Sequence, residues 1–297
     1  MPSIDRLIEN VVVNLLRLAE TELPVDVKAA LKRAYDKERS AIGKIQLKAI
    51  LDNIRLAEER GIPLCQDTGL ISFYLKAGSK FKGLHRIEKA LHRAVIRATR
   101  EIPLRPNTID PFTQKNVGNN LGRYVPYIHW EITGGDFLEI TAFPKGGGAE
   151  NMCALKMLKP AEGLDGLKRF VIESVVRAGG MPCPPTIIGV GIGGGANIAM
   201  ELAKKALLKP LDKPHPRSVI NRLEQKLLEA VNKTGIGPMG LGGDSTALGL
   251  RIEYAHRHPA SYPVAVAFQC WAARRATARI YMDGCVECLS HRDRDLL

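Results

Sequence analysis

Three cysteines stand in segments that are unusual for buried thiols. Cys65 lies in the turn-like segment PLCQDTG, Cys183 is followed by two prolines, and Cys270 ends the apolar run PVAVAFQC. A free cysteine is most often a small buried hydrophobic residue. In a chain of this size without secretory features, however, catalytic or metal-binding roles are favoured over disulfides. The three thiols are therefore candidate metal ligands.

Two kinds of metal site commonly use cysteine thiolates as ligands, structural zinc sites and iron–sulfur clusters. Structural zinc sites normally use closely spaced cysteine pairs and four ligands, which this set does not provide. Three soft ligands suit an iron–sulfur cluster with one open iron, and a Cys-Pro step such as Cys183-Pro184 is common around cluster ligands. An open iron can act as a Lewis acid on a substrate oxygen. A structural zinc protein stays open as an alternative.

Glycines follow Cys183 in a G-x-G-x-x-G arrangement. Gly189, Gly191 and Gly194 come after an apolar run and before a helical pattern, as in a dinucleotide-binding turn. Such a turn needs an acid at the end of a second strand about 20 residues on. Asp212 stands there among prolines that exclude a central strand, and the run does not look like the opening of a βαβ unit. Dinucleotide binding is disfavoured, whereas tight helix packing or close approach to a ligand stays open.

The elements that must position these residues form a mixed α/β (α+β) pattern, with a helical N-terminal region followed by mixed β-sheets surrounded by helices. Apolar spacing predicts helices through residues 1–62, broken by Pro24 and Gly61. Later helical patterns cover about 85–101, 165–178, 196–208 and 217–233. Strand-like runs are LISFYLKAG, YIHWEIT, FLEITAFP, TIIGVGI, ALGLRIEYA, VAVAFQC and ARIYMDG. The GGD between the second and third runs predicts a β-hairpin.

The bulk composition limits the function. With 45% hydrophobic and 25% charged residues, the chain is typical of a globular protein, and no apolar run approaches the ~20 residues of a membrane span. The N-terminus does not resemble a signal peptide, so we expect a cytoplasmic protein without membrane association. The net charge of +12 is spread along helices and lacks a recognition motif, which disfavours nucleic-acid binding. It favours small anionic substrates instead.

Six segments in a fixed order resemble one enzyme family. PLCQDTG, LRPN, KGGGAENM, CPPTIIGVGIGG, GIGPMGLGG and HRHPASYPVAVAFQCWAARRA, spanning about residues 63–275, are similar to the α-type part of class I fumarate hydratases and L-tartrate dehydratases. These are oxygen-sensitive [4Fe–4S] hydro-lyases. The resemblance implies that Cys65, Cys183 and Cys270 hold the cluster. The fourth iron would then be open to the substrate hydroxyl and a carboxylate, and the glycine run would be a cluster-side loop.

The resemblance also implies a substrate shell. Gln66 and Asp67 match substrate contacts, and Asp67 is the candidate catalytic residue that manages the proton. Arg105 in LRPN would clamp a substrate carboxylate, Gly147 would donate backbone N–H groups, and His258 would lie near the substrate. The alternatives are an Asx-turn acid, a surface arginine, a plain hairpin exit and a histidine bonded to a backbone group.

Some positions depart from the family pattern. Ala149 and Cys153 stand where serine is expected, so a hydroxyl contact is missing there, and Cys153 receives no ligand role. Cys285 and Cys288 form a single C-x-x-C without a second pair, which is weak evidence for zinc or redox work.

The organisation of the chain implies a partner. We predict a single domain over residues 1–297, with a helical N-terminal region (1–62), a cluster- and substrate-binding region (63–280) and a tail (281–297). In single-chain members of the family a C-terminal domain adds further arginines, a lysine and a catalytic threonine. The resemblance therefore implies an α subunit that needs a separate β subunit, in an α2β2 assembly on a homodimeric α core. Its substrate would be a small dicarboxylate: fumarate, hydrated to (S)-malate, or alternatively L(+)-tartrate, dehydrated to oxaloacetate.

Overall fold

A computed structural model describes residues 4–291 and 294–297. The first three residues of the predicted helical region and two residues of the predicted tail lie outside the described residues. The chain forms two compact units: Met1–Val25, Asn53–Gly146 and Arg274–Leu297 make the first, and Asp26–Asp52 and Gly147–Ala273 make the second. Helices and mixed sheets occur in both, which confirms the predicted α/β class. The single-domain organisation stays a prediction.

The helices are α1 (Ile4–Thr21), α2 (Val25–Lys37), α3 (Ala41–Arg60), α4 (Leu84–Glu101), α5 (Gly147–Glu150), α6 (Gly163–Ala178), α7 (Ala196–Ala206) and α8 (Ser218–Asn232). The strands are β1 (Leu70–Gly78), β2 (Tyr127–Thr133), β3 (Phe137–Lys145), β4 (Ala154–Leu158), β5 (Thr186–Ile192), β6 (Ala247–Tyr254), β7 (Tyr262–Gln269), β8 (Ala276–Tyr281) and β9 (Val286–Cys288). The sequence predicted most of these and missed α5, β4 and β9. No described helix is long and apolar enough to cross a membrane.

The first unit contains a five-stranded sheet in the order β2-β1-β3-β8-β9. Alternate residues of β1, such as Ile71, Phe73 and Leu75, are buried in one apolar core with the apolar faces of α1 and α4. This alternation follows from the period of two in a strand. Each large side chain buried in this way stabilises the unit by about 1.5–3 kcal/mol.

The predicted hairpin of β2 and β3 is wrong. β1 lies between these two strands, parallel to β2 and antiparallel to β3. The GGD turn crosses the end of β1, where the N–H of Lys80 donates to the carbonyl of Gly135 at 2.9 Å. A Cβ on Gly78 would lie 2.5 Å from that carbonyl oxygen, so the crossing depends on glycine. The turn chemistry was correct, but an earlier segment of the chain occupies the pairing position.

The second unit contains a four-stranded sheet in the order β4-β7-β5-β6. Ile188 and Val190 of β5 pack in an apolar core with residues of α6 and α8. Gly189 and Gly191 alternate with them and face α7, where a Cβ on either residue would collide with a backbone carbonyl of that helix. The first two glycines of the run therefore allow tight strand-to-helix packing, one of the two interpretations that the sequence left open.

The expectation that the glycine run opens no βαβ unit is also wrong. β5 is followed by α7 and α8 and then pairs in parallel with β6. The prolines near Asp212 lie in the connection between these helices and not in a strand. The sequence interpretation failed because the returning strand comes much later than in a dinucleotide-binding fold.

Candidate functional site

The loop between α3 and β1 holds Asp67 in an Asx turn. The N–H of Gly69 donates to Oδ1 of Asp67 at 2.8 Å, and Gly69 has a φ of +77°, which favours glycine. Oδ2 of Asp67 lies 3.0 Å from the position that a Cβ on Gly146 would take. The turn predicted as an alternative role for Asp67 is thus present, and it fixes the direction of the carboxylate. Gly146 is the residue that leaves room for it.

The segment LRPN is bonded to the same loop. The N–H of Arg105 donates to Oγ1 of Thr68 at 3.0 Å, and Nδ2 of Asn107 donates to the carbonyl of Gly69 at 3.0 Å. The buried side chain of Asn120 accepts from the N–H of Asn107 at 2.7 Å and donates to the carbonyl of Arg105 at 3.1 Å. The side chain of Arg105 itself is exposed. Its guanidinium therefore extends from a fixed backbone, as a carboxylate clamp requires.

A buried ion pair contacts the Asp67 loop. Nη1 of Arg274 donates to Oε2 of Glu20 at 2.7 Å and to the carbonyl of Asp67 at 2.8 Å. Both charged side chains are only 1% exposed. The carbonyl of Glu20 also accepts from the N–H of Leu64 at 2.8 Å. Burial raises the pKa of Glu20 to about 7, although the charge of Arg274 acts in the opposite direction.

The glycine loop after β3 leads into the four-residue helix α5. Gly147, the predicted N–H donor, is exposed, and its carbonyl accepts from the N–H of Asn151 at 2.9 Å. Ala149, where serine was expected, is 3% exposed and belongs to the apolar core of the second unit. Sγ of Cys153 lies 3.9 Å from the carbonyl oxygen of Ala149. A hydroxyl at position 149 would be placed in an apolar setting.

The loops of two predicted cluster ligands are bonded to each other. The N–H of Trp271, next to Cys270, donates to the carbonyl of Cys183 at 3.2 Å. Cys183 has a φ of +52°, a left-handed conformation that costs a non-glycine residue of order 1–3 kcal/mol. The N–H of Met239, in the motif GIGPMGLGG, donates to the carbonyl of Pro184 at 2.8 Å. The structure thus brings three of the motifs together within the second unit.

His258 lies in the loop between β6 and β7, which is bonded to the glycine run. The N–H of Gly194 donates to the carbonyl of His256 at 2.9 Å. Nδ1 of His258 accepts from the N–H of Ala260 at 3.1 Å, which is the backbone bond predicted as its alternative role. Because Nδ1 is an acceptor, a neutral ring carries its proton on Nε2. The exposed His258 is therefore arranged to donate from Nε2.

The remaining cysteines and Gln66 have simpler surroundings. Cys65 is partly buried and Gln66 is exposed, both in the first unit. Cys285 is exposed and Cys288 lies on β9. None of the described cysteines forms a disulfide. The described residues contain no group of three or more His, Cys, Asp or Glu side chains placed for a single metal ion.

Comparison with known proteins assigns the chain to a family. A family model described as fumarate hydratase (Fumerase) matches residues 9–279. The chain belongs to the fumarate hydratase family. Its chemistry is accordingly that of a hydro-lyase. A protein of Methanocaldococcus jannaschii whose name includes the words L(+)-tartrate dehydratase subunit alpha is 50% identical over 280 residues, which are 93% of this chain and 98% of that protein. The L(+)-tartrate dehydratase subunit alpha of Escherichia coli strain K12 is 40% identical over 282 residues, 95% of this chain and 93% of that protein.

The sequence analysis of this fumarate hydratase family member assigned no role to the residues that hold the Asp67 loop and the LRPN segment in place. Thr68, Asn107 and Asn120 fix the backbone of the Asp67 and LRPN segments. Glu20 and Arg274 connect the first helix to the same loop. Thr68, Asn107 and Arg274 stand in quoted motifs, so those motifs gave a usable signal, whereas α1 gave none for Glu20. The predicted ligands Cys183 and Cys270 are bonded through neighbouring backbone, and Arg105 is bonded to Thr68, the residue that follows Asp67.

Proposed function

We propose that the chain is the cluster-bearing α subunit of a cytoplasmic [4Fe–4S] hydro-lyase that interconverts fumarate and (S)-malate with a separate β subunit. Two relatives that match this chain over more than nine-tenths of their own length carry the words subunit alpha in their names. The observation that most supports the proposal is the bonding of the LRPN segment to the Asp67 loop in a member of this hydro-lyase family: the N–H of Arg105 donates to Oγ1 of Thr68, and Nδ2 of Asn107 lies 3.4 Å from Oδ1 of Asp67. We further propose an α2β2 assembly.

Dehydration of L(+)-tartrate to oxaloacetate is the second candidate. The names of the two relatives, which are 50% and 40% identical to this chain, favour it. Both reactions remove or add water across two carbons of a four-carbon dicarboxylate, so the same residues serve either. The ratio of kcat/KM for (S)-malate to that for L(+)-tartrate, measured on the α–β complex, decides between the two.

The residues present fit the proposed cluster. Three thiols, Cys65, Cys183 and Cys270, stand in loops, as expected when each binds a different iron of one cluster. Cys183 is held in a conformation that costs free energy, which is frequent at functional sites. Gln269, next to Cys270, is 1% exposed, and neither polar atom of its side chain has a hydrogen-bond partner among the described residues. A sulfur-rich group near Cys270 would accept a bond from such an amide.

Some residues of the chain bind the substrate, and others transfer protons. When bound, the cluster supplies a Lewis acid for the substrate hydroxyl. Arg105 binds a substrate carboxylate through its planar guanidinium, and the N–H of Gly147 and the amide of Gln66 add polar contacts. Asp67, directed by the Gly69 N–H, takes or returns a proton at its carboxylate. His258 donates from Nε2 to a substrate oxygen.

Metal analysis tests this proposal. We expect about four iron and four sulfide per chain after anaerobic reconstitution, and a marked loss in Cys183→Ala. Cys153→Ala, which removes a thiol without a proposed ligand role, is the matched control and should keep both contents. Zinc in place of iron, or equal iron in the two variants, would contradict the cluster assignment.

A further inference from the structure

The buried Glu20–Arg274 pair in the first unit is bonded to the Asp67 loop. A buried ion pair is weak evidence for stability, because desolvation offsets most of the attraction. Here Nη1 of Arg274 is shared between the carboxylate of Glu20 and the carbonyl of Asp67. Nη2 of Arg274 also lies 3.5 Å from the position of a Cβ on Gly146, the residue against which the Asp67 carboxylate passes. The guanidinium therefore binds the backbone carbonyl of Asp67, and its Nη2 and the Oδ2 of Asp67 both lie near the same point beside Gly146.

Glu20 fixes the guanidinium in turn. Its Oε2 accepts from Arg274 at 2.7 Å, and its own carbonyl accepts from Leu64, at the start of the Asp67 loop. The last turn of α1 thus holds the loop at Leu64 directly and at Asp67 through Arg274. Because side chain and backbone of Asp67 are joined at one Cα, fixing its carbonyl restricts the positions that its carboxylate can take. The Asx-turn bond to Gly69 then selects one of them.

We propose that Glu20 and Arg274 are positioning residues that set the Asp67 carboxylate for proton transfer, acting from α1 through the backbone of the Asp67 loop. This inference rests on the proposed hydro-lyase function and on the role of Asp67 in it. Displacements of about 1 Å at a reacting group can lower a rate 100-fold. Loss of the pair should accordingly lower kcat more than it raises KM, because the buried Asn120 still holds the backbone of Arg105 and because Gly147 and His258 lie outside the Asp67 loop.

The test uses a double variant, Glu20→Gln with Arg274→Met. Removing both charges avoids an uncompensated buried charge, which by itself could unfold the chain. The matched control is Glu224→Gln with Arg251→Met in the second unit. That pair is also largely buried, with Nη1 of Arg251 3.2 Å from Oε2 of Glu224. Arg251 likewise donates to a loop carbonyl, that of Leu211, at 2.6 Å. Both variants are studied as reconstituted α–β complexes.

Two measurements decide the inference. In the Glu20/Arg274 variant we expect kcat to fall about tenfold or more with KM within about threefold of the parent, while the control keeps kcat. We also expect amide hydrogen exchange in residues 64–69 to accelerate about tenfold or more relative to the control variant, because the Gly69 N–H loses its fixed acceptor. Equal kcat and equal loop exchange in the two variants would overturn the inference.

The exchange measurement needs no turnover, so the two proposals can fail separately. A parent complex without iron or hydro-lyase activity refutes the proposed function, while exchange of residues 64–69 still reports whether the pair holds the loop. An active parent with a double variant that matches the control refutes the positioning role alone.

Discussion

At the scale of single residues, burial changes the pKa of the Glu20 carboxyl group. Its pKa is raised to about 7 from 4.5, first by desolvation, with Asp67 adding repulsion and Arg274 opposing both. A raised pKa means that the folded state binds the proton more tightly than the unfolded state. The contribution of Glu20 to stability is therefore present in full below about pH 4.5 and is lost as the pH rises through about 7.

The raised pKa of Glu20 predicts how the stability of the chain without its cluster changes with pH. Relative to the Glu20→Gln, Arg274→Met double variant, which carries no charge at this pair, the parent should lose up to about 3 kcal/mol of unfolding free energy between pH 4.5 and pH 8. The change should level off above pH 8. Urea unfolding of both proteins at several pH values, without oxygen, measures this difference. A difference that stays constant with pH, or that grows in favour of the parent, would show that folding does not raise the pKa of Glu20.

At the scale of elements, the glycines of β5 determine how closely α7 can pack. A Cβ on Gly191 would lie 2.5 Å from the N of Ala203 and would also collide with the carbonyl of Ala199. Gly191→Ala should therefore destabilise the chain by about 1–3 kcal/mol or more through overpacking. Gly134→Ala is the control, since a Cβ there meets nothing within 4 Å and should change stability by less than about 0.5 kcal/mol. Denaturant unfolding compares them, and equal midpoints and slopes would refute the packing role.

The same elements show what local pattern can predict. TIIGVGI gave the bounds of β5 because buried strands are continuous apolar runs. β4 was missed because three of its five residues are exposed, so it lacks an apolar pattern. The β2–β3 hairpin failed because pairing depends on β1, which comes much earlier in the chain. For the site, motifs supplied Asp67 and Arg105, but Glu20 and Arg274 are 254 positions apart, and neither belongs to a local signal that indicates the other.

At the scale of the whole molecule, charge and subunit composition bear on substrate and turnover. The net charge of +12 raises the local concentration of a dianionic substrate around the chain. A four-carbon dicarboxylate presents two carboxylates, and the candidate residues of this chain offer Arg105 as the guanidinium clamp for one of them. The proposed β subunit would supply cationic groups for the other. Binding and alignment of both ends are needed before the Asp67 carboxylate can transfer a proton at the departing or arriving hydroxide.

If the substrate-binding groups are divided between the two subunits in this way, activity should depend on the β subunit. The reconstituted chain alone should keep its iron but turn over fumarate and L(+)-tartrate at less than about 1% of the rate of the complex, a loss typical of removing several transition-state contacts. Titration of the β subunit into a fixed amount of the chain should raise the rate linearly until the two are equimolar. The Cys183→Ala variant serves as the control, since β should restore nothing to it. If the isolated chain with intact cluster worked at the rate of the complex, all groups needed for turnover would have to belong to this chain, and the separate-subunit proposal would be wrong.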